Sequence, residues 1–326
     1  MKLYNYQEKI SNIVKKIFPN TSLKSIEFYT SGRMSLIYIL YLENGIKLIL
    51  KVQKDILEKF SQDFGKENIV KEYLFLRKFL PEIYYLDKSN KEIPYRFCIL
   101  EYIEGKKMNF FNDLNLVYEL GKTLGLFHQK TKFYMKKNEK RKTIFEYFEK
   151  YILNIRSKVL KNKLIELLYS FLEKINYDKC CISYVHHDFH AYNILITCEK
   201  KIKIIDWDSS RIGVSELDFI KFKHLNLYKY GFQTTKVFLD GYSQFNRLEF
   251  SPFIFLAELL WLIRMREFNR AYPLKRNTEY FLNERYFKKN IKKLLKLLEE
   301  NRELFLYDST KIKEIFFRRE FYGKNI

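Results

Sequence analysis

Residues that break or cross-link a chain are scarce in this sequence. Among 326 residues there are ten glycines, five prolines and four cysteines. So few glycines and prolines exclude collagen-like and linker-rich architectures. The cysteines, Cys98, Cys180, Cys181 and Cys198, show no C-x-x-C spacing, and the adjacent pair makes a poor metal site. They are expected as buried or semi-buried thiols in a reducing compartment. The most apolar stretch, residues 252–263, is too short to span a bilayer and contains Glu258. The first nine residues hold no apolar signal core. A soluble, cytoplasmic protein without a membrane span is the expectation. No internal repeat is present, and nothing in the sequence speaks to oligomeric state.

An apolar fraction of 47% and an aromatic fraction of 18% suffice for one large or two medium domains. The formal net charge is +21, and residues 136–142 form the densest basic run. A charge of that size suits nucleic acid. Here lysine is spread along the whole chain, and no zinc-finger or RNA-recognition motif accompanies it. The charge therefore reads as compositional bias on a solvated surface.

Strand signals cluster between Ile26 and Ile103, after a helix whose Ile10, Ile13, Val14 and Ile17 recur on one face. Ser35–Leu42 and Ile46–Val52 flank Asn44-Gly45, the strongest short hairpin signal. After Gly105 the chain reads as mostly helical. Asp113 is placed to cap a helix running to about Lys130, and residues 143–177 read as one or two helices.

The chemistry sits in one segment. Asp188 precedes Asn193, and Asp206 follows beyond two short strand signals, residues 194–197 and 202–205, joined by a polar turn. A hairpin of that length returns Asp206 to the neighbourhood of Asp188 and Asn193. Phosphoryl transfer from a nucleotide needs one carboxylate to orient the attacking hydroxyl, and an amide and a second carboxylate to hold metal ions. Such hard oxygen donors suit Mg²⁺. Upstream, Lys51 lies in an apolar strand. A lysine there needs a partner, and Glu72, on a predicted helix over residues 66–80, is the candidate.

These segments resemble the catalytic and metal-binding loops of the aminoglycoside phosphotransferase and choline kinase superfamily, which has a protein-kinase-like fold. The His-x-Asp-x-x-x-x-Asn pattern falls on His186, Asp188 and Asn193, and the Ile-Asp-Trp-acid pattern on Ile205, Asp206, Trp207 and Asp208. His187 stands where the family usually has glycine. The resemblance implies that Asp188 is the catalytic base and that Asn193 and Asp206 hold Mg²⁺. It further implies that Lys51 binds the phosphates of ATP, with GTP left open, and that Glu72 is its ion-pair partner. His190 matches a histidine common in the small-molecule kinases, and Gly213 and Asp218 match the downstream glycine and the acid that braces the catalytic loop. Ser31 and Gly32 fall where the phosphate-covering turn belongs, with Ser35 a further hydroxyl donor. Glu101 to Ile103 resemble the hinge that meets the base.

The expected fold is α+β, a protein-kinase-like two-lobe fold. Residues 1–103 form the small β-rich nucleotide-binding lobe, and residues 104–326 the larger, mostly helical catalytic and substrate-binding lobe. The expected function is ATP- and Mg-dependent phosphorylation of a hydroxyl on a small molecule of the antibiotic, amino-alcohol, sugar or vitamin class. The alternatives are a protein-kinase-like enzyme and a non-catalytic pseudokinase. Protein kinases usually carry Phe-Gly where Trp207-Asp208 stands, and an intact set of metal ligands has no purpose in a scaffold. For the acceptor, Glu258 beside Trp261 suits a cation; against that, Trp261 reads as core and Glu258 as paired with Arg264 or another nearby base.

Overall fold

The computed structural model describes residues 3–32, 35–54, 78–108, 113–153, 155–174, 177, 180–248, 251, 253–271 and 284–300. In chain order the elements begin with helix α1 (Gln7–Ile17) and strands β1 (Leu23–Ser31), β2 (Ser35–Leu42), β3 (Lys47–Gln53), β4 (Ile83–Asp87), β5 (Phe97–Glu101) and β6 (Lys106–Lys107). Helices α2 (Leu114–Lys130), α3 (Lys137–Leu153) and α4 (Lys158–Lys174) come next, then strands β7 (Ile182–Val185), β8 (Ile194–Ile196), β9 (Ile202–Ile204) and β10 (Arg211–Val214). Helices α5 (Glu216–Leu225), α6 (Gly231–Tyr242), α7 (Ile254–Ala271) and α8 (Glu284–Glu300) complete the described chain. Two compact units result: Met1–Met108 with Tyr192–Ser210, and Asn109–Ala191 with Arg211–Ile326.

The first unit is built on an antiparallel five-stranded sheet in the order β1-β2-β3-β5-β4. Strand β2 covers the residues that its run of aromatic and aliphatic side chains predicts. The turn into β3 closes through Gly45, whose φ of +85° is a left-handed conformation open to glycine; its N–H donates to Leu42 O at 3.0 Å. Ile10, Ile13 and Val14 of α1 bury against Leu40, Leu48, Leu50 and Phe97, as the helical spacing requires. A second small sheet, β6-β8-β9, carries the hairpin of interest. The predicted helix over 66–80, with Glu72, lies up to residue 77 outside the described residues.

The second unit is helical, with β7 and β10 paired antiparallel. Asp113 caps α2, its Oδ1 accepting from Leu116 N at 3.1 Å. Helix α3 begins before the expected Thr143, because the lysine-rich run is itself helical; Glu139 accepts from Lys136 N at 2.9 Å at its start. One lysine of that run departs from the solvated reading: Lys140 is buried and donates to Tyr177 O at 3.0 Å. The cysteine expectation also needs correcting. Cys98 and Cys180 are buried and Cys181 is half-buried, but Cys198 is exposed, because it sits in the polar turn between β8 and β9. No helix among the described residues is long and apolar enough to cross a membrane.

Helices α2 and α6 approach so closely that only hydrogen fits at their crossing. A Cβ at Gly121 would stand 2.0 Å from Phe238 O, and one at Gly241 2.1 Å from Tyr118 O. The crossing sets Tyr242 against His128, which matters for the site below. Gly121→Ala must push backbone away from backbone and is expected to destabilise the protein by about 1–3 kcal/mol, read as a lowered denaturant midpoint.

Candidate active site

Within the first unit the β8–β9 hairpin gathers the expected metal ligands. Ile194 pairs with Ile204, and Ile205 N–H donates to Asn193 O at 2.9 Å. Asn193 and Asp206 therefore stand at the two adjoining ends of the hairpin. Asp206 adopts φ +64°, a left-handed conformation that aspartate tolerates better than most residues. Trp207 holds that turn: its indole is buried, and Nε1 donates to Ile204 O at 2.8 Å. The acids on either side of the anchor, Asp206 and Asp208, both reach Lys51 Nζ, at 2.9 and 2.8 Å.

Lys51 is buried in β3 between Ile37 of β2 and Cys98 of β5, so its side chain needs compensation. The two aspartates supply it among the described residues; Glu72, the expected partner, lies outside them. Two carboxylates against one ammonium leave one negative charge in excess, on hard oxygens with the Asn193 amide at the adjoining strand end. That donor set fits Mg²⁺, which binds through one or two carboxylates and completes its shell with water and phosphate oxygens. Among the described residues no group of three His, Cys, Asp or Glu converges on a metal-sized site, so this pair depends on the amide and on nucleotide oxygens.

Ser31 ends β1 and is exposed, its Oγ 3.5 Å from Gly32 O. Lys54 Nζ donates to the Gly32 carbonyl from the far end of β3. Ser35 opens β2 with a buried hydroxyl that has no hydrogen-bond partner among the described residues. In the expected base-binding segment, Glu101 N–H is taken by Glu82 O at 2.7 Å, and Glu101 Oε2 accepts from Glu82 N at 3.0 Å. The Glu101 N–H is thus already committed, and Ile103 lies outside any regular element.

In the second unit the catalytic segment is gripped by α5. Asp218, fully buried, accepts from His186 N and His187 N, at 2.7 Å each. Four residues on, Phe222 packs on Phe189 with ring centroids 5.1 Å apart. Asn226, just past the helix, accepts from Ala191 N at 3.2 Å. These positions lie on one helical face. Buried Phe189 thus anchors the loop while Asp188 and His190, on either side, stay partly exposed. Behind Asp218, His128 completes the support: Nε2 donates to Asp218 Oδ2 at 3.2 Å, and Nδ1 accepts from Tyr242 Oη at 2.7 Å. Burial raises the Tyr242 pKa well above its ordinary value, so the phenol keeps its proton.

Asp188 is held by side chains as well. Lys221 Nζ pairs with Oδ1 and also reaches His187 O at 3.3 Å, while His190 Nε2 lies 3.4 Å from Oδ2. His186 Nδ1 accepts from Asp188 N at 3.1 Å. Burial alone would raise the Asp188 pKa, but the charge of Lys221 and the hydrogen bond and charge of His190 reverse this and hold it well below the usual carboxylate range. His187 adopts φ +64°, which explains why glycine suits this place. Its ring packs against Tyr147 and accepts from Arg211 Nε at 3.0 Å. Burial, then the charges of Arg211, Arg264 and Lys221, hold its pKa well below normal, and the imidazole stays neutral. Gly213 accommodates the same Tyr147 ring, which a Cβ would approach to 2.5 Å.

The pair Glu258 and Trp261 is internal. Glu258 accepts from Lys223 Nζ at 2.8 and 3.0 Å, and His224 Nε2 lies 2.7 Å from its Oε1. Trp261 stacks on His224 at 5.1 Å and is buried. The acid's charge is thus spent on Lys223, in place of the Arg264 considered from sequence, and the indole is core. Sequence reasoning missed Lys54, His128, Lys221 and Lys223, whose partners are distant in the chain. The i, i+3 spacing of Asp218 and Lys221 was the one available signal.

Two outcomes test this architecture. Asp218→Ala orphans two buried N–H groups and is expected to cost about 3 kcal/mol, with faster amide exchange at His186 and His187 by NMR. Burial raises the Glu258 pKa, but Lys223 and His224 bring it down to about 2 from 4.5. A depressed folded-state pKa contributes stability that is present above pH 4.5 and lost as pH falls towards 2. Glu258→Gln should therefore be less stable than wild type at pH 7 by about 3 kcal/mol, and the gap in unfolding free energy should narrow steadily below pH 4.5.

Comparison with known proteins accords with this geometry. The family model described as "Phosphotransferase enzyme family" matches residues 26–250. No match was found among curated protein sequences. Among solved structures, choline kinase LicA from Streptococcus pneumoniae is similar at TM-score 0.59 and 15% identity, over 91% of this chain and 99% of its own. The amicoumacin kinase hAmiN, solved with AMP-PNP, Ca²⁺ and Ami, is similar at TM-score 0.56 and 18% identity, over 89% and 92%. APH(2")-IIia, solved as a GDP and kanamycin complex, is similar at 0.53 and 13%, over 92% and 99%. At these identities the likeness shows the fold, the protein-kinase-like one. The family match covers well over half of the chain, which therefore belongs to the phosphotransferase enzyme family and is a small-molecule kinase.

Proposed function

We propose that this kinase transfers the terminal phosphoryl group of ATP, as its Mg²⁺ complex, to a hydroxyl of an antibiotic, amino-alcohol, sugar or vitamin. The observation that carries the reading is the mouth of the β8–β9 hairpin, where Asn193 adjoins Asp206 and Asp206 meets buried Lys51. In this reading residues 1–103 bind the nucleotide, and residues 104–326 supply the catalytic loop and the acceptor site. Lys51 binds donor phosphates, with Glu72 as a further partner. The Ser31–Gly32 turn and the buried Ser35 hydroxyl donate to phosphate, and the backbone from Glu101 to Ile103 meets the base. Asn193 and Asp206 hold Mg²⁺, which when bound neutralises charge on the phosphates.

Asp188 takes the acceptor hydroxyl as a hydrogen-bond donor. A carboxylate held this far below its usual pKa is a weak base, so it orients the nucleophile and receives its proton late. His186 and Asp218 keep the loop in shape, His190 steadies the carboxylate, and Asp208 shares Lys51. Transfer to a hydroxyl is also the reaction for which a positioned acid, a phosphate-binding lysine and a metal pair suffice, without a covalent intermediate.

Asp188→Ala is expected to reduce transfer by at least a thousandfold while the Mg-ATP thermal shift persists. The measurement is nucleotide consumption across a panel of hydroxyl-bearing metabolites and antibiotics, with ATP and GTP as alternative donors. Wild-type turnover in that variant would refute the assignment. Asp206→Ala or chelation by EDTA should instead abolish both turnover and the shift given by the nucleotide.

A further inference from the structure

Helix α5 and the residue that follows it grip the segment carrying Asp188 at four places, and three of them hold only the scaffold. Asp218 holds backbone N–H groups, Phe222 a core ring and Asn226 another N–H. The fourth is Lys221, three residues past Asp218 on the same face. Its ammonium meets the Asp188 carboxylate itself and leans on His187 O at 3.3 Å. The side chains of Lys221 and Asp188 are only 17% and 31% exposed, so the pair is shielded from the solvent that weakens surface ion pairs. His190 Nε2 lies on the other oxygen at 3.4 Å. A side-chain nitrogen on each oxygen fixes the rotation of the carboxylate plane.

We propose that Lys221 is a positioning residue: it orients the Asp188 carboxylate towards the acceptor hydroxyl and keeps it ionised in mildly acidic solution. This rests on the reading of Asp188 as the group that meets the acceptor. Among the described residues, the charged and titratable groups around Asp188 include His186, His187 and His190 of its own loop, and Asp218 and Lys221 of α5. Arg211 of β10 and Arg264 of α7 act on His187 behind it. Asp218 is committed to two N–H groups and His128, and His187 is neutral, which leaves Lys221 as the permanent cation on the carboxylate among the described residues, with His190 beside its other oxygen. Without the lysine, burial acts unopposed from that side. A protonated Asp188 then donates where it must accept, and the acceptor hydroxyl loses its guide.

The test uses the whole protein and needs no identified acceptor. Two quantities are followed from pH 4 to 8. One is hydrolysis of Mg-ATP, with water as acceptor. The other is the carboxyl ¹³C resonance of Asp188 in ¹³C-aspartate-labelled protein, assigned by its loss in Asp188→Asn. In wild type the resonance should show no transition across this range. In Lys221→Met its midpoint should rise into this range, because loss of the adjacent opposite charge leaves burial to act against the carboxylate. The acid limb of turnover should move with it, and turnover at pH 7.5 should fall about 10-fold or more. Lys221→Arg should restore the wild-type limb. A Lys221→Met protein with the wild-type titration and acid limb would overturn the proposal. So would a wild-type Asp188 that titrates at or above the ordinary carboxylate pH, a measurement that needs no variant at Lys221 to fold. Failure of the underlying reading looks different: Asp188→Asn would then hydrolyse Mg-ATP as wild type does, whatever the resonance reports.

Discussion

Two backbone N–H groups resting on one buried carboxylate hold the loop that carries Asp188 together. Asp218 accepts from His186 and His187 at 2.7 Å, with no solvent to replace it. In such a place an unmade bond costs far more than a made one contributes. The loop therefore has little freedom to relax, and the left-handed turn at His187 persists because its neighbours over-determine it. Support reaches outward from Asp218 through His128 and Tyr242 to the α2–α6 crossing, where glycines let two backbones touch. A packing constraint between two helices is thus transmitted, bond by bond, to the peptide units that carry Asp188.

Buried charge serves two purposes here. The Lys223–Glu258–His224 group is enclosed and ion-paired, tying α5 to α7. Its geometry offers no face to a ligand. The Lys51 group differs: Asp206 is about half exposed at its side chain and Asp208 largely covered. An unequal pair around one buried lysine provides one acid to keep the ammonium charged and another within reach of a cation. Trp207 stands between the two acids in sequence, its indole anchored on Ile204 O.

Much of the fold was legible because period and punctuation agreed. The 3.6-residue spacing of Ile10, Ile13 and Val14, the aromatic and aliphatic run of β2, the Asn44-Gly45 turn and the Asp113 cap each state a local preference that the structure obeys. The hairpin between Asn193 and Asp206 was legible for the same reason. The start of α3 was not, because a lysine run reads as solvated surface whether or not it is helical, and Lys140 shows that such a run can still bury a member. Of the site, the acids and the amide had a motif, while the cations Lys221 and Lys54 had none.

The sequence by itself determined the local elements, the order of Asp188, Asn193 and Asp206, and the short loop and hairpin that carry them, since each follows from neighbours a few residues apart. Only the tertiary structure decided which charges pair. Lys51 with Asp206, Lys221 with Asp188 and Lys223 with Glu258 are separated by 155, 33 and 35 positions. In a chain with 60 basic and 39 acidic residues, sequence offers each acid many possible partners. Burial selects among them, because away from water a charge is tolerated only where its partner and hydrogen bonds are already in place.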